Sequence, residues 1–119
     1  MFTIAVCDDD MQERMQEVQI VKNIFSQKEL EAGIEEFQTG QHFLDVLHRA
    51  PYDIVLLDIQ MGEVSGFTLA EELYKITGGE NIIFVSSMEN LVFESIHFRP
   101  FRFVRKSLLE EELTETVES

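Results

Sequence analysis

Two stretches constrain this chain most: "IVLL" (54–57) and "IIFV" (82–85) are apolar at every position, so both alternating faces of the strands they form must be covered. A strand with one wet face alternates; these read as interior strands of a parallel sheet. They lie within "DIVLLD" (53–58) and "NIIFVSS" (81–87), and three further runs, "FTIAVC" (2–7), "GIEEF" (33–37) and "FRFV" (101–104), share their length and β-branched or aromatic content.

Helical spacing fills the gaps. Met11, Met15, Val18, Val21 and Phe25 recur at steps of 4, 3, 3 and 4 and predict one apolar stripe; Leu69, Leu73 and Ile76 predict a second, opened by Ser65-Gly66 and closed by "TGG" at 77–79. Weaker patterns predict helices over 41–49, 89–96 and 107–117, and Pro100 disfavours helical geometry at Arg99. Strand and helix alternating five times favour an open, doubly wound α/β sheet with helices on both faces. At 119 residues the chain reads as one domain, 1–119.

Composition narrows the setting. Cys7 is alone and ends an apolar run, so it reads as a small buried hydrophobe in a reducing compartment. No apolar stretch nears the roughly 18 to 20 residues that span a bilayer, and "MFTIAVCDDD" turns acidic too early for a signal peptide. The expected location is cytoplasmic, without membrane attachment. A formal charge of −14 repels phosphate backbones, so any nucleic-acid target belongs to another domain.

The C-terminal ends of the apolar runs carry the chemistry. The first ends in Asp8-Asp9, the third in Asp58, the fourth in Ser86-Ser87 and the fifth in Arg105-Lys106. In an open parallel sheet these ends share one edge, where ligands bind at the topological switch point. If the strand order is 2-1-3-4-5, Asp8, Asp9 and Asp58 converge there, with Ser86 and Lys106 on the far side of Asp58. Within "VCDDDMQE" (6–13) carboxylates crowd together, and each ionised pair about 6 Å apart costs roughly 3 kcal/mol at an effective dielectric near 20. Three carboxylates open to water suit Mg2+, which takes few protein ligands and can bridge to phosphoryl oxygens. Lys106 can neutralise another such oxygen and Ser86 can donate to a third, which describes an aspartate that is itself phosphorylated. Asp10 reads differently: it precedes the first helical stripe with Glu13 three residues on, the pattern of a capping box.

These residues resemble the receiver domains of two-component response regulators, over essentially the whole chain. The resemblance rests on Asp8 and Asp9, "LLDIQM" around Asp58, Ser86 at a strand end, and Lys106. It implies a flavodoxin-like, CheY-like fold with strand order 2-1-3-4-5. It implies Asp58 as phosphoacceptor, Asp8, Asp9, Asp58 and the backbone carbonyl of Gln60 as Mg2+ ligands, and Lys106 and Ser86 as phosphoryl contacts. Gly66 matches the glycine that starts the third helix, and Phe103 the aromatic switch that moves as Ser86 closes on the phosphoryl group. The implied partners are a sensor histidine kinase and a second copy in a phosphorylation-dependent homodimer, through the 89–96 helix, the fifth strand and the last helix. The stretch "HFRPFRFVRK" (97–106) is most similar to receivers joined to LytTR-type DNA-binding domains, which places a C-terminal output domain outside this chain.

Two positions depart from that family: Gly62 follows Met61 where proline is common, and Ser107 follows Lys106 where the family has a cis proline. Two rival readings stand beside it. A phosphohydrolase would use Asp8 as nucleophile and Asp10 as acid and base, although Gln12 stands where Thr or Val is expected. A phosphorylation-independent interaction module would keep the fold alone. Scattered His42, His48 and His97 suggest no metal site, and the crowded Phe93, Phe98, Phe101 and Phe103 read as core with one or two exposed toward a partner.

Overall fold

The computed structural model describes residues 1–46, 52–61, 65–78, 81–87 and 102–118. Five strands, β1 (Phe2–Cys7), β2 (Ala32–Phe37), β3 (Ile54–Asp58), β4 (Ile82–Ser86) and β5 (Arg102–Arg105), form one parallel sheet in the order β2-β1-β3-β4-β5. Helices α1 (Met11–Gln27), α2 (Gly40–Val46), α3 (Gly66–Thr77) and α4 (Leu109–Glu118) surround it, and a 3-10 turn, Lys106–Leu108, links β5 to α4. The helix predicted over 89–96 with Phe93, the segment carrying His97, Phe98, Pro100 and Phe101, the end of the 41–49 helix with His48, and Gly62 lie outside the described residues.

Strand alternation divides the interior into two cores. Ala5, Cys7, Val55, Leu57, Ile82 and Phe84 meet Phe43 of α2 and Leu69, Ala70 and Leu73 of α3 on one face. Ile4, Val6, Leu56, Ile83, Val85 and Val104 meet Val18, Val21, Ile24 and Phe25 of α1 and Leu113 of α4 on the other. This is why "IVLL" and "IIFV" lack polar positions: both faces are roofed. Each fully buried aliphatic side chain contributes roughly 1.5 to 3 kcal/mol over leaving it in water.

The α1 stripe differs from its prediction at one end. Met11 and Met15 are 61% and 59% exposed, while Glu17, Val18, Val21, Ile24 and Phe25 are buried. At about 100° per residue the buried arc centres on Val21, so one heptad earlier Arg14, not Met15, faces the sheet. Its side chain is 11% exposed. Similarly, α3 buries Leu69, Ala70 and Leu73 but leaves Ile76 48% exposed in its last turn.

Caps fix where the helices begin. Asp10 has extended backbone geometry and its carboxylate accepts the Glu13 N–H at 3.0 Å, opening α1. Ser65 does the same for α3 through the Thr68 N–H at 3.2 Å, and Gly78, at φ 80, closes that helix in the left-handed conformation suited to glycine. Only half of the α1 capping box forms. Glu13 does not reach back to the Asp10 N–H, which the Asp8 carboxylate takes at 3.0 Å; the Glu13 carboxylate goes to Lys106, because an ammonium is a stronger partner than a neutral amide.

Candidate functional site

Alternation that builds the second core also builds the site. Asp8, Asp58 and Lys106 are each two residues beyond a side chain of that core, Val6, Leu56 and Val104, so they continue the same face past the ends of β1, β3 and β5. Asp8 and Asp58 are buried, at 0% and 4% exposure. Each is pinned by one oxygen: Asp8 Oδ1 accepts the Asp10 N–H at 3.0 Å and Asp58 Oδ1 the Gln60 N–H at 3.3 Å. Their second oxygens turn to the lysine, with Lys106 Nζ 3.2 Å from Asp8 Oδ2 and 3.4 Å from Asp58 Oδ2. Arg14 braces the first of these ends, donating to the Asp8 carbonyl at 2.9 Å and pairing with Glu36 at 3.1 Å.

From α1, Glu13 completes the ring around the ammonium. Oxygens of Asp8, Glu13 and Asp58 lie within 4.8 Å of one another. Hard carboxylate oxygens so arranged fit a divalent cation such as Mg2+. The buried Asp8 Oδ2 faces the same space as Lys106 Nζ, at 3.2 Å.

Burial, joined by the Asp8 charge, pushes the Asp58 carboxyl up to about 7 against the pull of Lys106. Burial also acts to raise Asp8, but the neighbouring Glu17 acid, the Asp10 N–H and Lys106 together hold it below its usual value. Burial pulls Lys106 down, yet Glu13, Asp58 and Asp8 outweigh it and keep the ammonium above its ordinary range. The lysine is therefore a permanent cation between acids of unequal strength.

The remaining expected residues fall around this cluster. Asp9 is exposed and stands apart from the grouped carboxylates, whose third member is Glu13. Gln60 contributes its N–H to Asp58. Ser86 ends β4, 1% exposed, and follows Ile82 and Phe84 by alternation. Phe103 pairs in register with Phe84 and packs against the first core. Ser86 and Phe103 thus share the sheet face opposite to that of Asp8 and Asp58. Arg105 is held away from Lys106 by Glu112, at 2.9 and 3.2 Å. The Lys106–Ser107 bond is trans, as are all peptide bonds among the described residues. Burial pushes the Cys7 thiol well above its usual range, in keeping with an inert core position.

Two residues of this region carry no mark of the cluster in the sequence. Glu13 stands there only as the cap partner of Asp10. Glu17 is fully buried, its acid pushed up to about 10 by burial and then by Asp8, so it is neutral at physiological pH. Its burial has a signal, since Glu17, Val21 and Ile24 share one helical face.

Residues 4–118 match the response regulator receiver domain family. The chain belongs to that family. Two curated relatives of this receiver, the sensory transduction proteins LytT of Bacillus cereus and Bacillus anthracis, are each 26% identical over 117 residues, 98% of this chain and 46% of the relative. The receiver thus spans about half the length of the curated relatives it matches. Among solved structures, response regulator TrrA of Thermotoga maritima, in complex with Mg(2+)-BeF, superposes with a TM-score of 0.81 at 24% identity, covering 99% of this chain and 97% of that one. The response regulatory domain of mrkE from Klebsiella pneumoniae gives a TM-score of 0.86 at 16% identity, covering 98% and 93%. Among the described residues no helix is long and apolar enough to cross a membrane.

Proposed function

We propose that this receiver accepts a phosphoryl group on Asp58 from the phosphohistidine of a sensor kinase, with Mg2+. The observation that carries the reading is the Asp58 carboxylate itself. One oxygen is pinned by the Gln60 N–H, and the other faces Lys106 beside buried Asp8. That second oxygen attacks phosphorus: a P–O bond forms as the P–N bond of the donor breaks, and the leaving imidazole keeps the bonding electrons. Lys106 neutralises a phosphoryl oxygen and the Ser86 hydroxyl donates to another. Asp8, Asp9, Asp58 and the Gln60 carbonyl would hold Mg2+, whose charge would let a carboxylate approach a phosphoryl group. The acyl phosphate adds charge and acceptor oxygens at the sheet edge. Ser86 closes toward it, Phe103 turns inward, and the surface around β5 and α4 changes, favouring a homodimer. In a cytoplasmic protein of the length of the LytT relatives, a C-terminal LytTR-type output domain receives the signal and binds the DNA. On this reading the chain, residues 1–119, is a regulatory phosphoacceptor rather than an enzyme with turnover.

The phosphohydrolase alternative requires Asp10 as acid and base, but that carboxylate caps α1. Mass spectrometry after treatment with a small acyl phosphate and Mg2+ distinguishes the readings. We expect a hydroxylamine-labile adduct on Asp58, absent from Asp58→Asn. An adduct on Asp8 that survives Asp58→Asn would establish the hydrolase, and no adduct on the folded chain would leave an interaction module.

A further inference from the structure

Lys106 donates to the Glu13 carboxylate of α1 as well as meeting the two strand-end aspartates. Asp8 and Asp58 meet the ammonium at ion-pair distances of 3.2 and 3.4 Å. The three carboxylates differ in freedom. Asp8 and Asp58 are buried and each is tied by its first oxygen to a backbone N–H. Glu13 sits on the first turn of α1 with its side chain 42% exposed. Its carboxylate has no second partner among the described residues, because Asp8 has taken the N–H a capping box would have offered it. Glu13 is thus the one acid of the ring that can leave without breaking another contact.

We propose that Glu13 is a positioning residue for Lys106: it holds the ammonium before phosphorylation, and its release of the lysine sets how readily the site takes a phosphoryl group. This inference rests on the phosphoacceptor reading of Asp58. An incoming phosphoryl group brings oxygens that compete with Glu13 for the same ammonium, so a stronger hold by Glu13 means a weaker hold on the phosphoryl group. The same carboxylate lies within 4.8 Å of the Asp8 and Asp58 oxygens, so its alternative role is that of a metal ligand, and the two roles predict opposite effects.

The test measures, by calorimetry, affinity for Mg2+ alone and then for fluoroberyllate at saturating Mg2+, with fluorine NMR of the bound anion. It compares the wild-type chain, Glu13→Gln, and Glu13→Gln combined with Gln12→Glu, which returns the charge to the neighbouring exposed position. We expect Glu13→Gln to bind fluoroberyllate about five- to tenfold more tightly, the net worth of about one ordinary hydrogen bond removed from the competition. The double variant should keep that gain, and the fluorine resonance nearest Lys106 should shift in both. Unchanged or weaker fluoroberyllate binding by Glu13→Gln overturns the inference, as does loss of the gain on returning the charge, which would make Glu13 a general repulsion. A drop in Mg2+ affinity with no gain for the anion makes it a ligand instead. If the wild-type chain with Mg2+ binds no fluoroberyllate and gains no adduct on Asp58, the phosphoacceptor reading itself fails.

Discussion

Glu17 and Asp10 illustrate how one residue's surroundings decide its chemistry. Glu17 is a buried carboxylic acid beside Asp8, with a folded pKa of about 10 against an ordinary 4.5. Between those values the folded chain binds the proton that the unfolded chain has lost. The contribution is therefore fully present below about pH 4.5 and declines as pH rises toward 10. Glu17→Met keeps the shape and removes the titration. We expect the wild-type chain to lose stability relative to this variant as pH rises from 5 to 8, by up to about 4 kcal/mol, as read by urea unfolding. Parallel pH curves for the two proteins would show that Glu17 is ionised in the fold. Asp10 belongs to helix formation: Asp10→Ala should cost about 0.5 to 2 kcal/mol of stability while leaving Mg2+ affinity nearly intact. Loss of Mg2+ binding as severe as in Asp9→Ala would assign it to the site after all.

At the scale of elements, the loop from β3 into α3 has to bring Asp58 to the edge and still let the helix pack. Gly66 makes that possible. A Cβ there would sit 2.4 Å from the Asp58 carbonyl oxygen and 2.8 Å from the Ile59 Cα, and the Gly66 N–H donates to the Ile59 carbonyl at 2.9 Å. Because the obstacle is backbone, Gly66→Ala must move the strand end or the helix. We expect about 1 to 3 kcal/mol of destabilisation together with a several-fold loss of Mg2+ affinity. Ser65→Ala, which removes only the cap, should cost about 1 kcal/mol and leave that affinity unchanged. Equal affinity in both variants would mean that the loop absorbs the methyl without moving Asp58. Legibility followed the same line: the strands and caps were readable because their signals are local, whereas the α1 stripe was misjudged at Met11 and Met15. The buried arc centres on Val21, so Arg14 takes the inward position and both methionines lie off it, in water.

For the whole molecule the dominant quantity is a formal charge of −14, part of which is concentrated at one edge. A cation that binds the folded edge and not the unfolded chain stabilises by mass action, about 2.7 kcal/mol at one hundred times its dissociation constant. Saturating Mg2+ should therefore raise the thermal midpoint by several degrees beyond sodium chloride at matched ionic strength. Asp58→Asn and Asp8→Asn should lose most of that increment. An equal rise in the wild-type chain and both variants would assign the effect to general screening of the acidic surface.

Sequence alone settled the periodicities, and with them the alternating α/β pattern, the strand ends that carry Asp8, Asp58, Ser86 and Lys106, and the cap at Asp10. These follow from local rules, because the spacing of apolar side chains and the hydrogen-bonding habits of short polar ones act within a few residues. Tertiary structure decided which acids share a space. Lys106 reaches Glu13 across 93 residues, and Glu17 is buried beside Asp8, nine positions away in the chain. Asp9, adjacent in sequence to the cluster, is exposed while Asp8 is buried. Burial and Coulomb energy depend on distance through space, and a list of neighbours along the chain does not contain that distance.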